Sequence, residues 1–286
     1  MQRLTTIAQW RDYAASVRER GQRVGLVPTM GALHEGHGSL VQRALADGAL
    51  PLVTIFVNPR QFNDVKDLVA YPRDEARDLA LCEQWGAVAV VTPSVEEMWP
   101  SGAGGTPTTV SVRGITDRFE GAGRPGHFDG VASVVTKLFA ITGPANAYFG
   151  EKDFQQLAMV RQLNEDLALG MKVMGCPIVR DLDGLALSSR NVRLSDAGRH
   201  QALAFSKALR DAAIAPQSAE VVRANINKVL VDAGIEVAYA DVVEPNTLES
   251  VNDEFVGTAR ILLAGVVEGV RLIDNGDVDI ISSKGK

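Results

Sequence analysis

The sequence contains little cysteine and no excess of basic charge. Its two cysteines, Cys82 and Cys176, lie far apart in apolar segments, so we predict reduced core residues rather than a disulfide scaffold. The 29 Lys and Arg residues are outnumbered by 35 Asp and Glu, giving a formal net charge of −6. This balance lacks the electrostatic footprint of nucleic-acid binding or of an anionic membrane surface. A small anionic substrate is still compatible, because a few local cations can line a pocket in an acidic protein.

Long apolar runs are also missing. No stretch approaches the length of a membrane span, and residues 1–6 lack the apolar core of a signal peptide. We therefore expect a cytoplasmic protein without a membrane partner. With 286 residues, 46% hydrophobic and 22% charged, the composition fits one large globular domain or two of ordinary size.

Several familiar site motifs are absent or fail in detail. There is no Walker A sequence and no G-x-S-x-G elbow. Residues 121–126 spell G-x-G-x-x-G, but they follow no apolar strand and include Pro125, which argues against a dinucleotide fingerprint. His34-Glu35-Gly36-His37 has one residue fewer between its histidines than a zincin motif requires, and the other histidines lie in distant segments. The sequence therefore does not indicate a zinc hydrolase.

The first part of the chain alternates short apolar strands with helical patterns. Strands that are apolar on both faces predict an α/β fold, a Rossmann-like parallel sheet wrapped by helices. The predicted strands are 24–27, 52–57, 87–91, 147–149 and 171–179.

The pattern changes near residue 181. Two predicted helices are followed by strands of antiparallel character, which indicates a smaller α+β C-terminal domain. The helices are 196–213 and 219–233, and the strands are 236–243, 259–267 and 278–281. We predict domains at 1–180 and 181–286.

Three polar segments carry candidate chemistry. The loop 29–36 follows the first strand, and His34 and His37 stand at a predicted helix start, where amides and dipole favour phosphate. In 150–153, at another strand end, Lys152 can neutralise phosphate charge. The loop 187–191 offers two hydroxyls and a guanidinium for phosphate oxygens. Each segment alone also fits an ordinary polar loop or a helix cap.

Together these segments resemble the pantothenate synthetase family. The resemblance implies a Rossmann-like domain of the H-x-G-H nucleotidyltransferase superfamily, a C-terminal lid domain and a homodimer. It implies ATP-dependent condensation of (R)-pantoate with β-alanine through a pantoyl-adenylate, releasing AMP and pyrophosphate. The matching blocks, in family order, are 28–37, 56–62, 71–73, 124–128, 149–156, 187–191 and 271–274.

The resemblance also implies the site residues. Gln61 and Gln156 are expected to bind pantoate, and Gln61 also β-alanine; amide side chains both donate and accept, and add no negative charge against the pantoate carboxylate. The expected catalytic residues are His34, His37 (the proton donor in the family), Lys152, Ser188, Ser189 and Arg190. The expected ATP-binding residues are Met30, Gly31, Ala32, Leu33, His34, Glu35, Gly36, His37, Gly150, Glu151, Lys152, Asp153, Val179, Leu187, Ser188, Ser189 and Arg190. No acidic cluster is dedicated to a metal, so Mg²⁺ is expected to arrive with ATP.

Two alternative functions share part of this pattern. Another H-x-G-H nucleotidyltransferase explains the histidines and the 187–191 loop, but not Gln61, Gln156 and the block 124–128 together. A catalytically silent nucleotide-binding sensor should have lost a charged or phosphate-facing residue, and none is missing.

One position departs from the family. Gly38 follows His37, where the family usually has an apolar residue, commonly leucine. If the glycine leaves an apolar gap, Gly38→Leu should raise the melting temperature through packing and helix propensity.

Overall fold

The computed structural model describes residues 1–282. The chain forms two compact units, one of Met1–Glu151 with Gln155–Pro177 and the other of Lys152–Phe154 with Ile178–Lys286. Residues 283–286, the end of the predicted second domain, lie outside the described residues. The domain division at residue 180 stays a prediction, and the segment Lys152–Phe154, which it assigns to the first domain, packs with the second unit.

The first unit is built on a six-stranded parallel sheet with the order β1-β4-β3-β2-β5-β6. This confirms the predicted α/β fold. Its elements in chain order are β1 (Gln2–Leu4), α1 (Ile7–Glu19), β2 (Val24–Thr29), α2 (Glu35–Ala46), β3 (Leu50–Ile55), α3 (Val65–Ala70), α4 (Glu75–Gln84), β4 (Ala89–Val91), α5 (Val95–Met98), α6 (Glu120–Gly123), α7 (His127–Thr142), β5 (Asn146–Gly150), α8 (Phe154–Asp166, entering this unit at Gln155) and β6 (Lys172–Cys176), with 3₁₀ turns at Pro59–Gln61 and Glu151–Asp153.

The strand order reverses between β2 and β5. From β2 the chain adds β3 and β4 on one side and later returns to add β5 and β6 on the other. Loops leaving the carboxyl ends of strands at such a reversal open a crevice that binds ligands in α/β folds. The loop after β2 and Gly150 at the end of β5 therefore share the edge where a ligand is expected.

The second unit contains two helices and a three-stranded antiparallel sheet of order β7-β8-β9. Its elements are α9 (Asp196–Ala212), α10 (Ala219–Asp232), β7 (Glu236–Val243), β8 (Gly257–Val267) and β9 (Val270–Ile280), preceded by a 3₁₀ turn at Asn191–Arg193. This confirms the smaller α+β part of the fold.

The predicted last strand, 278–281, is only the end of β9. The hairpin turn at Glu268 and Gly269, with φ of 50° and 76°, returns the chain directly after β8, as in a tight hairpin. Polar residues such as Asp274 and Asn275 interrupt the apolar alternation of β9. The hydrophobic pattern therefore does not predict the first part of this strand.

Both cysteines are free and buried, as predicted. Burial raises the pKa of the Cys82 thiol to about 12 and that of the Cys176 thiol to about 11. Both therefore remain protonated packing residues at neutral pH. Within residues 1–282, no helix combines the length and apolar character needed to traverse a lipid bilayer.

Candidate active site

His34 and His37 cap the start of α2 and fix each other's orientation. The Nδ1 of His34, the N-cap residue, accepts a 3.2 Å hydrogen bond from the Gly36 amide. The Nδ1 of His37 accepts one of 3.2 Å from the His34 amide, which completes a capping box. The ring centroids lie 4.1 Å apart. Because an accepting Nδ1 carries no proton, each neutral ring carries its proton on Nε2 and is a donor there.

The caps also change what the helix start can offer a ligand. The Gly36 amide donates to the His34 ring, and the His37 amide donates to the His34 carbonyl at 2.7 Å. Some of the backbone amides that the sequence predicts as phosphate donors are thus already hydrogen-bonded within the protein. The imidazole Nε2–H groups, together with the helix dipole, are the features that favour an anion here.

Asp78 anchors the loop that precedes the histidines. Its buried carboxylate, on α4, accepts hydrogen bonds of 2.8 Å from the amides of both Ala32 and Leu33. Ala32 has a φ of 50°, a left-handed conformation that a residue with a side chain rarely adopts. The two charge-assisted bonds stabilise that conformation. Sequence analysis missed Asp78 because one acidic residue on a helix gives no local signal of such a contact.

Gln61 is buried and contacts the same loop. Its Nε2 donates to Met30 Sδ at 2.9 Å, and its Oε1 accepts from Asn58 Nδ2 at 3.1 Å. Asn58 is itself buried and donates to the Gly130 carbonyl at 3.1 Å. Met30, expected to bind ATP, and Gln61, expected to bind pantoate, are therefore in direct contact. The sequence does not mark Asn58 as a site residue, because asparagine before proline is common in turns.

The block 124–128 supports Gln61 from α7. Because a carbonyl can only accept, His127 donates through Nδ1 to the Gln61 carbonyl at 2.8 Å. Its Nε2 then accepts from Arg124 Nη1 at 3.0 Å. At Gly130 the helix runs so close that an added Cβ would stand 2.1 Å from the Arg60 carbonyl oxygen. The 3₁₀ turn carrying Gln61 is thus held against α7.

The neighbouring glutamines at the start of α8 have different surroundings. Gln155 is buried; it accepts from the Glu120 amide at 3.0 Å and donates to the carbonyls of Ile115 and Arg118 at 2.8 Å each. Gln156 is half-buried in the same first turn. Gln155 is therefore a structural residue, and Gln156 stays the predicted pantoate ligand.

In the second unit, the predicted phosphate-binding loop is hydrogen-bonded within itself and to the segment that precedes it. The Leu187 amide donates to the Val179 carbonyl at 3.0 Å, and Ser188 Oγ accepts from the Arg190 amide at 3.2 Å. Arg180 forms a bidentate ion pair with Asp274 of β9, at 2.6 and 2.9 Å. The half-buried residues 187–190 thus occupy one turn tied to the sheet.

The predicted site residues are distributed over both units. The first unit holds Met30, Gly31, Ala32, Leu33, His34, Glu35, Gly36, His37, Gln61, Gly150, Glu151 and Gln156. The second holds Lys152, Asp153, Val179, Leu187, Ser188, Ser189 and Arg190. No group of three or more His, Cys, Asp or Glu side chains within residues 1–282 is arranged to hold a metal ion.

The structure leaves no apolar gap beside Gly38. A Cβ added to this buried glycine would lie 2.7 Å from Trp85 Cε2 and 2.9 Å from its Nε1. The Trp85 indole fills the space beside α2, so the condition under which leucine would restore packing is not met.

We predict instead that Gly38→Leu lowers the melting temperature. Inserting a side chain into a filled core typically costs about 1–3 kcal/mol, which outweighs the gain in helix propensity of up to about 1 kcal/mol. Thermal unfolding of the variant tests this. Trp85→Ala, combined with Gly38→Leu, is the matched variant: if the indole causes the clash, the pair should be more stable than the sum of the single changes predicts. A rise in melting temperature for Gly38→Leu alone would contradict the packing.

The fold and site define an α/β protein with a parallel sheet and, after its strand β2, a histidine-capped helix start that favours an anionic ligand. A family model described as pantoate-beta-alanine ligase matches residues 2–277. The chain belongs to the pantoate–β-alanine ligase family, as its motifs indicated.

Relatives and solved structures agree with this assignment over nearly the full chain. The pantothenate synthetase of Cereibacter sphaeroides is 47% identical over 277 residues, covering 95% of this chain and 98% of its own length. The pantothenate synthetase of Thermus thermophilus superposes with a TM-score of 0.89 at 41% identity, covering 96% and 99% of the two chains. The pantoate-beta-alanine ligase of Francisella tularensis, complexed with beta-gamma ATP and beta-alanine, has a TM-score of 0.79 at 34% identity, covering 96% and 97%.

Proposed function

We propose that this chain condenses (R)-pantoate with β-alanine at the expense of ATP, releasing AMP and pyrophosphate through a pantoyl-adenylate. The observation that carries the proposal is the contact between Met30 and Gln61. It joins the loop leading to the histidine-capped helix to a buried amide suited to a hydroxylated acid. An anion site and a site for pantoate thus lie side by side at one edge of the sheet.

In the first unit, we assign ATP to residues 30–37, Gly150 and Glu151. The Nε2–H groups of His34 and His37 donate to phosphate oxygens, and their donation strengthens as negative charge grows in the transition state. His37 serves as the proton donor. Since the amides of Ala32 and Leu33 bind Asp78, these two residues shape the ATP loop rather than donate to phosphate.

In the second unit, we assign ATP to Lys152, Asp153, Val179 and the turn 187–190. The Lys152 ammonium and Arg190 guanidinium neutralise phosphate charge, and the hydroxyls of Ser188 and Ser189 donate to phosphate oxygens. MgATP is the substrate form, so the ion enters with the nucleotide and lowers the charge that the pantoate carboxylate must approach.

Pantoate is assigned to Gln61 and Gln156, and β-alanine to Gln61. The Francisella tularensis relative was crystallised with beta-gamma ATP and beta-alanine, which supports both ligands for this chain. The homodimer implied by the family resemblance and the cytoplasmic location belong to the same proposal.

The reaction takes place in two steps. A pantoate carboxylate oxygen attacks the α-phosphorus of ATP, the bond to the bridging oxygen breaks, and pyrophosphate leaves. The neutral amine of β-alanine then attacks the acyl carbon of the mixed anhydride, AMP leaves with the former carboxylate oxygen, and the amine loses a proton to give the amide. Positioning and charge neutralisation are the main demands of the first step.

Product analysis tests this proposal. With ATP, Mg²⁺, pantoate and β-alanine, we expect AMP, pyrophosphate and pantothenate in equal amounts. ADP and phosphate would contradict the adenylate and indicate an acyl phosphate. ATP binding with no release of pyrophosphate under any combination of substrates would identify the alternative function, a silent nucleotide sensor.

A further inference from the structure

A buried polar network in the second unit has no role in the assignments above. Asn275 of β9 and Arg260 of β8 are 3% and 6% exposed. Arg260 donates through Nε to Asn275 Oδ1 at 2.9 Å and forms an ion pair with Asp277 at 2.7 Å. Burying such groups costs free energy unless they are paired, and apolar side chains commonly fill the same volume at no loss of stability. The network therefore calls for a reason beyond packing.

The network holds both ends of the segment Lys152–Phe154. Asn275 Nδ2 donates to the Lys152 carbonyl at 2.8 Å. The Arg260 guanidinium carbon lies 4.2 Å from the centroid of the Phe154 ring, within the range of a cation–π contact. These contacts connect the sheet of the second unit to Lys152–Phe154, the segment that precedes Ile178 in sequence but belongs to the second unit.

Arg260 fixes which way the Asn275 amide faces. A guanidinium has donors but no acceptor, so it must lie on the Oδ1 side of the amide. The Nδ2 side then faces the Lys152 carbonyl, which can only accept. A neutral amide is therefore the group that satisfies both neighbours at this position.

We propose that Asn275 is a positioning residue for Lys152 in the adenylation step. The inference rests on the proposed function, in which the Lys152 ammonium binds the phosphates of ATP. Holding the Lys152 carbonyl fixes the peptide plane of the 3₁₀ turn Glu151–Asp153 and hence the direction in which the lysine side chain leaves the backbone. Pre-organisation of this kind lowers the ordering cost of binding the triphosphate.

Asn275→Asp removes the hydrogen bond to the Lys152 carbonyl and keeps the one from Arg260. Aspartate has the same shape and still accepts from Arg260, but it places an oxygen against the Lys152 carbonyl. In pantoate-dependent pyrophosphate–ATP exchange, we expect kcat/KM for MgATP to fall about tenfold, the scale of one lost hydrogen bond with its acceptor left unsatisfied. The KM for β-alanine should stay close to that of the parent protein, while the melting temperature should fall by a few degrees, because the Lys152 carbonyl loses its hydrogen-bond donor.

Asp277→Asn is the matched control. Asp277 is a further acceptor of Arg260, and the Asp277 side chain is 62% exposed. Its replacement leaves the Asn275–Lys152 bond in place. We expect exchange kinetics like those of the parent. Equal losses of kcat/KM in Asp277→Asn and Asn275→Asp would overturn the assignment, because disturbing Arg260 would then be sufficient.

A double-mutant cycle with Lys152→Ala tests whether Asn275 acts through the lysine. If it does, Asn275→Asp should have little further effect once the ammonium is gone. A full additional tenfold loss in that background would overturn the inference. Should Asn275→Asp fail to fold, Asn275→Thr, a residue suited to strands but without the reach of the amide, takes its place; failure of both to fold would assign Asn275 to sheet stability alone.

The parent protein separates this inference from the proposed function. An inactive parent in the exchange assay would refute the function itself. An active parent with an Asn275→Asp variant of normal kcat/KM for MgATP would refute only the positioning role.

Discussion

Replacing His37 with glutamine is expected to lower the rate of pantoyl-adenylate formation by about two orders of magnitude, the scale of losing a general acid, without loss of fold. Glutamine at the third helical position completes a capping box much as the His37 ring does. Its amide nitrogen can still donate a hydrogen bond, but it cannot give up a proton as the Nε2–H of the His37 imidazole does in the proposed step. Turnover measured beside thermal unfolding separates this chemical loss from a structural one.

The same logic applies to His34, where asparagine retains a capping acceptor. We expect His34→Asn to be near the parent in stability and about two orders of magnitude slower. His200→Gln is the matched control, since His200 is exposed on α9 of the second unit; its turnover should be unchanged. Near-normal turnover in well-folded His34→Asn and His37→Gln would remove the pair from the mechanism.

Lys152→Ala is expected to lower kcat/KM for MgATP by about two orders of magnitude or more, because a positive charge aimed at the transferring phosphoryl group is lost. Lys152→Arg keeps the charge and should recover part of the activity, although a planar guanidinium does not have the compact shape of an ammonium group. The KM for β-alanine should change little in both variants, since the amine reacts after pyrophosphate has left.

Lys172→Ala supplies the control for Lys152. Lys172 is an exposed cation on β6, and its loss should leave kcat/KM for MgATP unaltered. A Lys152→Ala enzyme with parent-like kcat/KM would show that the phosphates are neutralised by other groups, and Lys152 would then leave the proposed site.

The layers of the fold could be predicted from the sequence, because strands buried on both faces are apolar throughout. The sheet strands β2 to β5 follow that rule within a few residues. The edge strand Gln2–Leu4 does not: only Leu4 is buried, and the strand exists through its pairing with β4. Such pairing depends on distant residues and leaves no local pattern.

The contacts within the candidate site could be predicted only where the contacting residues are neighbours in sequence. The segment 34–37 caps its own helix, so its local pattern and its geometry coincide. Asp78, Asn58 and Asn275 act on residues far along the chain, and nothing near each of them marks the contact. Whether space is open beside Gly38 could not be predicted for the same reason, since Trp85 reaches the helix from a different element.

Pyrophosphate–ATP exchange in the absence of β-alanine tests the central claim most directly. Gln61 and the 30–37 loop belong to the same unit and contact each other through Met30, so pantoate and ATP can react before the amine arrives. We predict that labelled pyrophosphate enters ATP when pantoate and Mg²⁺ are present, and that omission of either abolishes the exchange. Exchange that appears only after β-alanine is added would contradict a pantoyl-adenylate formed without the amine and would favour a concerted or strictly ordered three-substrate reaction.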